Sequence, residues 1–273
     1  MNRRLNCRIE VIQCRESAML DVSAVARVAD PGQVRAVEWR EDAARDTAPH
    51  AHAPGQLIGS LSGLLSVHTP EGWWVVPATH AIWVPPGVVH GVRAHGPFRG
   101  WSVYVAPGDC ADLAARPRTL RVSGLMRELV HRATGFAERA TAAGLRLSRV
   151  MIDEIAALPE DALGLPRPVD ARLNRVVDAL LADLSDARPV DDWATVAGMT
   201  PRTLARHFAA ETGLSLTQWR QRARALRAIE CLAAGQAVTM IALDLGYDNV
   251  SAFIAMFRRV MGTTPGQYGV GET

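Results

Sequence analysis

The spacing of hydrophobic residues divides the chain into regions of different predicted structure. Between Val37 and Val105 the hydrophobic residues come in short runs, separated by Pro and Gly, that include QLIGSLSGLLSV, GWWVV, HAIWV and WSVYV. Runs of this length with turn residues between them are typical of strands in an all-β barrel or sandwich. Residues 36–118 are therefore predicted to form a β-barrel domain.

The period changes after this region. From Leu120 to Leu158 hydrophobic residues recur at intervals of three and four, which predicts two helices within residues 119–158 that link or dimerise the protein. The segment PEDALGLPRPV, residues 159–169, has three prolines and two acids and is predicted to be an interdomain linker. Residues 170–273 return to a helical period, whereas residues 1–35 show no clear period and form a predicted N-terminal extension. The predicted fold class is α+β with two domains, an N-terminal β-barrel and a C-terminal all-α domain.

The helical part contains an internal repeat. Trp193-Ala194-x-x-x-Gly198-Met199 matches Ile241-Ala242-x-x-x-Gly246-Tyr247 at an offset of 48, and Phe208 matches Phe257 at an offset of 49. In each copy a small Ala allows two helices to approach closely, and a Gly supplies the backbone angles of a turn. A polar residue, Thr200 or Asp248, is positioned to cap the following helix. The repeat therefore predicts two helix-turn-helix units.

The second helix of each unit would be the one that reads DNA. In TPRTLARHFAAET, burial of Leu204 and Phe208 turns Arg202 and Arg206 outward, and Arg pairs well with guanine in the major groove. In DNVSAFIAMFRRV, burial of Phe253 and Phe257 is predicted to leave an exposed face that is poorer in hydrogen-bond donors, formed by Asn249, Val250, Ser251, Ile254 and Ala255. We expect weaker base discrimination by the second unit.

Charge supports the same interpretation. The formal net charge is only +2, and all 30 basic residues are Arg. Between Pro201 and Arg227 the chain carries six Arg against one acid, Glu211, which predicts a patch that faces phosphate. The six are Arg202, Arg206, Arg220, Arg222, Arg224 and Arg227.

The repeated segments resemble the DNA-binding domain of the AraC/XylS family over about 100 residues, from GMTPRTLARHFAAETGLSLTQWRQRARALRAIECL to IALDLGYDNVSAFIAMFRRVMGTTPGQY. The resemblance implies two helix-turn-helix units joined by a long helix, about Leu216 to Ala233, which enter successive major grooves on one face of promoter DNA. The residues expected to contact DNA are Thr200, Arg202, Thr203, Arg206 and His207 in the first unit and Asn249, Val250, Ser251, Ile254 and Arg258 in the second.

Three histidines stand out in the β domain. His50 and His52 are two residues apart, so on a strand they point to the same face, where a third histidine can join them. The pattern His50-x-His52-x-x-x-Gln56, with Gly63 and then Pro85-x-Gly87-x-x-His90, is similar to the two-part motif of the cupin barrels. Metal-binding cupins hold a divalent metal with three His and a Glu, and Gln56 stands in place of that Glu. Two further motif positions differ, because Ala94 replaces an Asn and Thr79 replaces a Gly.

Two uses of these residues remain open. Three imidazoles can hold zinc, nickel or copper without a carboxylate. Alternatively, His50, His52, Gln56 and His90 line a small-molecule pocket, with Gly63 and Gly87 in turns. Four other histidines, His68, His80, His95 and His131, lack such spacing and are predicted at the surface.

The sequence thus predicts an effector-responsive transcription regulator, with no certain cofactor. A similarity of WWVVPATHAIWVPPGVVHGV and LPRPVDARL to nitroimidazole-resistance regulators implies control of a neighbouring transporter or metabolic gene. Expected partners are double-stranded promoter DNA, RNA polymerase, a small-molecule or metal effector and a second copy of the chain. Scattered cysteines and the absence of a long apolar stretch predict a cytoplasmic protein with reduced thiols and no membrane contact. The rival interpretation is a metal-dependent cupin enzyme, an oxygenase or isomerase, with a DNA-binding tail; Gln56 argues against it.

Overall fold

The computed structural model describes residues 32–134 and 141–268 of the 273-residue chain. The predicted N-terminal extension, residues 1–35, lies outside the described residues except for its last four positions. Cys7 and Cys14 lie outside them too, and Cys110 and Cys231 are half-buried in different domains. Along the described ranges, no helix combines the length and apolar character that a membrane span requires.

The first domain consists of two five-stranded antiparallel sheets, with strand orders β1-β8-β3-β6-β9 and β10-β5-β4-β7-β2. Over the described residues the strands do not close into a single barrel, so the domain is a two-sheet sandwich with free edges. The predicted all-β domain is confirmed, but the predicted barrel is wrong, because the described strands pair in two separate five-stranded sheets. The strands are β1 Val34–Glu41, β2 Arg45–Asp46, β3 Gly55–Ser62, β4 Leu65–Thr69, β5 Gly72–Val76, β6 His80–Val84, β7 Gly91–Ala94, β8 Phe98–Val105, β9 Arg118–Arg121 and β10 Gly164–Pro166.

The interior of the sandwich is filled by side chains that alternate along the strands. Ile58, Val67, Trp74, Val76 and Phe98 belong to one buried cluster between the sheets. The other face of each sheet is covered as well, which is why runs such as GWWVV are buried at every position.

Nine α-helices lie within the described residues. Helices α1 and α2 cover the outer face of the first sheet, where Met126, Met151 and Ile155 pack against Leu57 and Val103. These are the two helices that the period predicted after the β domain, although the region begins with strand β9. The helices are α1 Gly124–Thr134, α2 Ala142–Ala157, α3 Ala171–Ala182, α4 Val190–Ala197, α5 Pro201–Thr212, α6 Leu216–Ala233, α7 Val238–Asp244, α8 Val250–Met261 and α9 Pro265–Tyr268.

The predicted linker, residues 159–169, differs in the structure. Its middle forms strand β10, which pairs with β5, and the Val75 N–H donates to the Leu163 carbonyl over 3.0 Å. Leu163 and Leu165 are buried, so this segment completes the second sheet rather than connecting two independent bodies. The prolines indicated a linker because the buried leucines between them are too few to reveal a strand.

The two domains share one hydrophobic core. Leu64, Trp73 and Val75 on the outer face of the second sheet belong to the same buried cluster as the helical domain. Trp219 and Leu226 of the long helix α6 belong to this cluster too. The outer face of the second sheet is therefore the docking face for the helical domain.

Candidate functional site

The first helix-turn-helix unit is formed by helices α4 and α5. Ala194 is 1% exposed, which allows the two helices to approach closely. Gly198 has a φ of 64° and ends α4 in the left-handed region, where a residue with a Cβ is strained. The Thr200 side chain caps α5 by accepting a hydrogen bond from the Thr203 N–H over 3.2 Å.

Helix α5 presents a basic face to solvent. Leu204 and Phe208 are fully buried, whereas Arg202 and Arg206 are exposed and His207 is half-buried, as the sequence predicted. The Arg206 guanidinium lies 3.3 Å from Nε2 of His207, so the two side chains can approach DNA together. This face carries donors of the kind that read guanine.

The second unit is formed by helices α7 and α8. Gly246, with a φ of 77°, occupies the turn. The predicted cap, Asp248, is wrong: the side chain of Asn249 caps α8 by accepting from the Ala252 N–H over 2.8 Å. Asn249 is in the extended region and precedes the first helical residue, so its oxygen is the one within reach of that N–H.

The outer surface of α8 forms a shallow groove. Its lining residues are Ser251, Ile254, Ala255, Arg258, Arg259 and Thr264. The prediction that Val250 and Ile254 are exposed is wrong, because both are half-buried and pack against the helical core. Exposed Ser251 and Arg258 remain on the groove, and with Arg259 and Thr264 they give it more hydrogen-bond donors than the sequence predicted.

The predicted arginine patch is only partly present. Arg202 and Arg206 are exposed, but Arg224 is buried and donates to the Leu184 carbonyl over 2.7 Å. Of the other patch arginines on α6, Arg220 donates to the Asp186 carbonyl, Arg222 to the Gly164 carbonyl, and Arg227 to the Glu230 carboxylate. Three of these four arginines therefore hold α6 to neighbouring segments, and the exposed positive charge of the first unit lies on α5.

The three predicted histidines converge at one site in the β domain. One ligand atom each from His50, His52 and His90 lies within 4.8 Å of the other two. The backbones of His50 and His90 pair in an antiparallel bridge, and the Gly87 N–H donates to the His52 carbonyl over 3.0 Å. Gly87 has a φ of 73° in the predicted turn. The grouping follows from these backbone contacts.

All three rings are oriented in the same way. Nδ1 of His50 donates to the Ala48 carbonyl over 3.0 Å, Nδ1 of His52 to the Pro54 carbonyl over 2.7 Å, and Nδ1 of His90 to the Val88 carbonyl over 2.9 Å. A carbonyl oxygen can only accept, so Nδ1 carries the hydrogen and a neutral ring keeps a lone pair on Nε2. The cluster thus presents three Nε2 lone pairs.

Gln56 supplies an oxygen to the same site. Its Oε1 lies 3.0 Å from Nε2 of His52 and 3.1 Å from Nε2 of His90, and its amide nitrogen donates to Ser102 and Tyr104 over 3.0 Å each. With the amide in this orientation its oxygen gains no hydrogen bond from the two lone pairs, and a cation there would be bound by the oxygen and the nitrogens together. The amide turned by 180° would instead donate its N–H groups to both rings. Nε2 of His50 is buried without a hydrogen-bond partner among the described residues. This set of three nitrogens and one oxygen fits a divalent transition metal.

The electrostatics of the site favour a neutral His90 ring. The pKa of His90 is lowered to about 4, mainly by burial; the bond to the Val88 carbonyl opposes this shift, and the neighbouring His50 and His52 add to it. Burial also raises the pKa of Tyr104 to about 12, so this hydroxyl stays protonated. His90 is therefore unprotonated, as a metal ligand must be, at neutral pH.

Of the four histidines predicted at the surface, two are exposed and two have largely buried side chains. His68 and His131 are exposed, but the His80 side chain is 10% exposed and pairs with Asp161, and the His95 side chain is 9% exposed and pairs with Glu230. Spacing cannot reveal these residues because each partner is distant in the sequence. The same holds for Ser102 and Tyr104, although their alternation along β8 places them on one face with Gln56.

The geometry defines a class of protein: a DNA-binding regulator in which a pair of helix-turn-helix units is docked on a β-sandwich sensor domain. Residues 193–269 match a family model described as a helix-turn-helix domain, and residues 31–195 match one described as an AraC-like ligand binding domain. The chain belongs to the AraC family of helix-turn-helix transcription regulators. The membership predicted from the repeat is confirmed, and so is the function of an effector-responsive DNA-binding regulator.

The chain is similar to several known regulators. It is 34% identical over 227 residues to the HTH-type transcriptional regulator NimR of Escherichia coli strain K12, with 81% of this chain and 82% of NimR covered. It is 28% identical to the HTH-type transcriptional regulator RipA of Corynebacterium diphtheriae, with 76% of this chain and 58% of RipA covered. A solved structure of ToxT from Vibrio cholerae with a bound unsaturated fatty acid is 10% identical, with a TM-score of 0.37 over 88% of this chain and 97% of ToxT.

Proposed function

We propose that this regulator responds to a divalent transition metal, zinc, nickel or copper, held by His50, His52 and His90 with the oxygen of Gln56. The observation that carries the proposal is the convergence of one ligand atom from each of the three histidines, together with the Nδ1–carbonyl bonds that leave the lone pair of each neutral ring on Nε2. Bound metal would link the segment of His50 and His52 to the start of strand β7 at His90. All four ligands are neutral, so the metal would keep its full charge in the site.

The DNA-reading part of the proposal assigns a groove to each unit. Arg202, Arg206 and His207 of α5 contact bases or phosphates in one major groove, with Thr200 and Thr203 at the start of the helix. Ser251, Ile254 and Arg258 of α8 contact the next groove, with Asn249 and Val250 at the start of that helix. Support comes from the exposed polar and basic faces of both helices. The two grooves are about one helical turn, roughly 10 base pairs, apart.

Three further partners belong to the proposal. A second copy of the chain would pack against α1 and α2, which expose Leu125, Leu145 and Val150. Size-exclusion chromatography with light scattering tests the dimer, and Val150→Asp should shift the protein to a monomer.

RNA polymerase would be recruited or blocked at the promoter, and the controlled gene would be a neighbouring transporter or metabolic gene.

We infer a regulatory rather than a catalytic role for the β domain. The relatives are named as transcriptional regulators. At the fourth ligand position, the amide of Gln56 cannot exchange a proton as a carboxylate could. The rival enzyme would turn over substrate at the histidine cluster without DNA.

Metal analysis of the purified full chain tests the metal site. We expect close to one zinc, nickel or copper per chain, and loss of that metal in His52→Ala. A site of three imidazoles loses most of its affinity for the metal when one imidazole is removed. His131→Ala, in an exposed position on α1, is the matched control and should keep the metal. A metal-free chain whose DNA binding responds to a small molecule would instead assign the histidines to a ligand pocket.

Nuclease protection tests the regulator itself. The full chain should protect intergenic DNA beside its own gene in two major-groove segments about 10 base pairs apart. Protection of only one segment would contradict the proposed role of α8.

A further inference from the structure

The second sheet and the helical domain meet at a buried polar cluster that neither the DNA face nor the histidine site uses. Glu230, on helix α6, is 5% exposed. Its carboxylate accepts a hydrogen bond from Ser66, lies 3.3 Å from Nε2 of His95, and accepts from Arg227 over 2.8 Å. Ser66 Oγ and His95 Nε2 are themselves 2.7 Å apart. A side chain of the DNA-binding domain is thus held by two side chains of the sensor domain.

This cluster depends on close placement of its members. Burial alone would raise the pKa of Glu230, but His95, Arg227 and Ser66 outweigh burial and lower the pKa of this carboxyl. A buried charge is tolerated only while its partners are in place, and removal of one partner is strongly destabilising. When the domains separate, water replaces those partners. Docking is therefore sensitive to small movements of Ser66 or His95.

Strand β7 joins this cluster to the histidine site. His90 directly precedes the strand and His95 directly follows it. Val92 and Ala94 point into the sandwich, so the alternation of the strand places His90 on the inner face and His95 on the outer, docking face. The His95 N–H donates to the Leu64 carbonyl over 3.1 Å, and Ser66 pairs with Arg93, so β4 and β7 hold both sensor residues in one ladder.

We propose that Ser66, His95 and Glu230 form an interdomain latch, and that strand β7 couples this latch to occupancy of the histidine site. Metal bound at His90 fixes the start of β7, and the strand then holds His95 where Glu230 requires it. The docked arrangement is stabilised when the site is filled and loosened when it is empty. The coupling rests on the proposed metal site; the latch does not.

Reciprocity gives a sharp test of the coupling. If metal favours the closed latch, a closed latch favours metal binding by the same factor. The full chain is titrated with zinc chloride against a chelator, and Glu230→Gln is compared with Asp178→Asn. Asp178 forms an exposed ion pair with Arg167, so it controls for loss of a carboxylate in the same domain. We expect zinc affinity to fall about fivefold or more in Glu230→Gln and to be unchanged in Asp178→Asn. Equal affinity in both variants would overturn the coupling.

Hydrogen exchange of the metal-free chain tests the latch separately. In Glu230→Gln, the backbone amides of residues 64–76 and 223–231 should exchange faster, whereas those of α5 and α8 should be unchanged. Ser66→Ala should give the same result and replaces Glu230→Gln if that variant folds poorly. Unchanged exchange in both variants would overturn the latch. If the wild-type chain binds no zinc, the coupling fails together with the metal proposal, and the exchange experiment still decides the latch.

Discussion

The indole nitrogen of Trp219 donates a hydrogen bond of 2.7 Å to the backbone carbonyl of Pro166. Trp219 lies on helix α6 and is fully buried, and Pro166 is the last residue of strand β10. The bond joins the helical domain to the segment whose prolines predicted a linker. A single buried donor therefore helps to fix the position of α6 on the second sheet.

Trp219→Phe should lower the free energy of unfolding by about 1–3 kcal/mol, because it leaves the Pro166 carbonyl without its donor. Urea unfolding of the full chain measures the change. Trp193→Phe is the matched control, since the indole nitrogen of Trp193 is buried without a hydrogen-bond partner among the described residues. Equal losses in the two variants would show that ring volume, and not this hydrogen bond, sets the cost.

Features of the fold that depend on residues close together in the sequence could be predicted, and features that depend on distant residues could not. The helix-turn-helix repeat was predictable because its turn, its buried Ala and its helix period lie within about twenty residues of one another. Helix α6 was predicted as Leu216 to Ala233, and the structure gives those bounds. Strand β10 was not predictable, since its identity comes from pairing with β5, some ninety residues earlier.

A glycine pair separates backbone strain from crowding. Gly198 and Gly246 occupy equivalent turns with φ of 64° and 77°. A Cβ at Gly198 would meet nothing within 4 Å, whereas one at Gly246 would lie 2.6 Å from the Ser185 carbonyl oxygen. Gly198→Ala should cost about 1 kcal/mol of stability, the usual strain of a left-handed alanine, and Gly246→Ala should cost clearly more. Thermal unfolding checks the order, and an equal cost would show that Ser185 moves aside freely.

DNA reading by α5 can be measured with two arginine variants. Arg206→Ala should weaken operator binding by about 1–3 kcal/mol and relax the preference at one base pair, if Arg206 pairs with guanine. Arg202→Ala should either do the same at another base pair or weaken all sequences alike and reduce the salt slope by about one. Binding titrations at several salt concentrations separate these effects. Arg116→Ala, exposed in the β domain and outside α1 and α2, is the control and should bind as the wild type does. Unchanged binding by Arg206→Ala would remove this residue from the interface.

The spacing of residues in the sequence predicted which side chains meet at the histidine site, but it did not predict how they are oriented. His50, His52, Gln56 and His90 were predictable from a two-part motif, and the structure brings all four together. Their common orientation was not predictable, because it depends on the carbonyls of Ala48, Pro54 and Val88 that accept from each Nδ1. His95 escaped prediction for a similar reason, since its partner Glu230 lies in the other domain.

The lowered pKa of His90 predicts how stability depends on pH in the metal-free chain. The pKa falls from an ordinary 6.5 to about 4 in the folded protein, mainly through burial. Above pH 6.5 the ring is neutral in both states, and stability is at its full value. As pH falls from 6.5 towards 4, the unfolded chain binds a proton that the folded chain does not, so stability declines by up to about 1.4 kcal/mol per pH unit and about 3 kcal/mol in all. His90→Gln should remove this part of the decline, whereas His131→Gln, in an exposed position, should keep it. Urea unfolding at pH 7.5, 5.5 and 4.5, with a chelator present, gives the slope of unfolding free energy against pH for each protein. Other titrating groups contribute equally to each protein. Identical slopes for the wild type and His90→Gln would therefore show that the His90 ring is protonated within the fold.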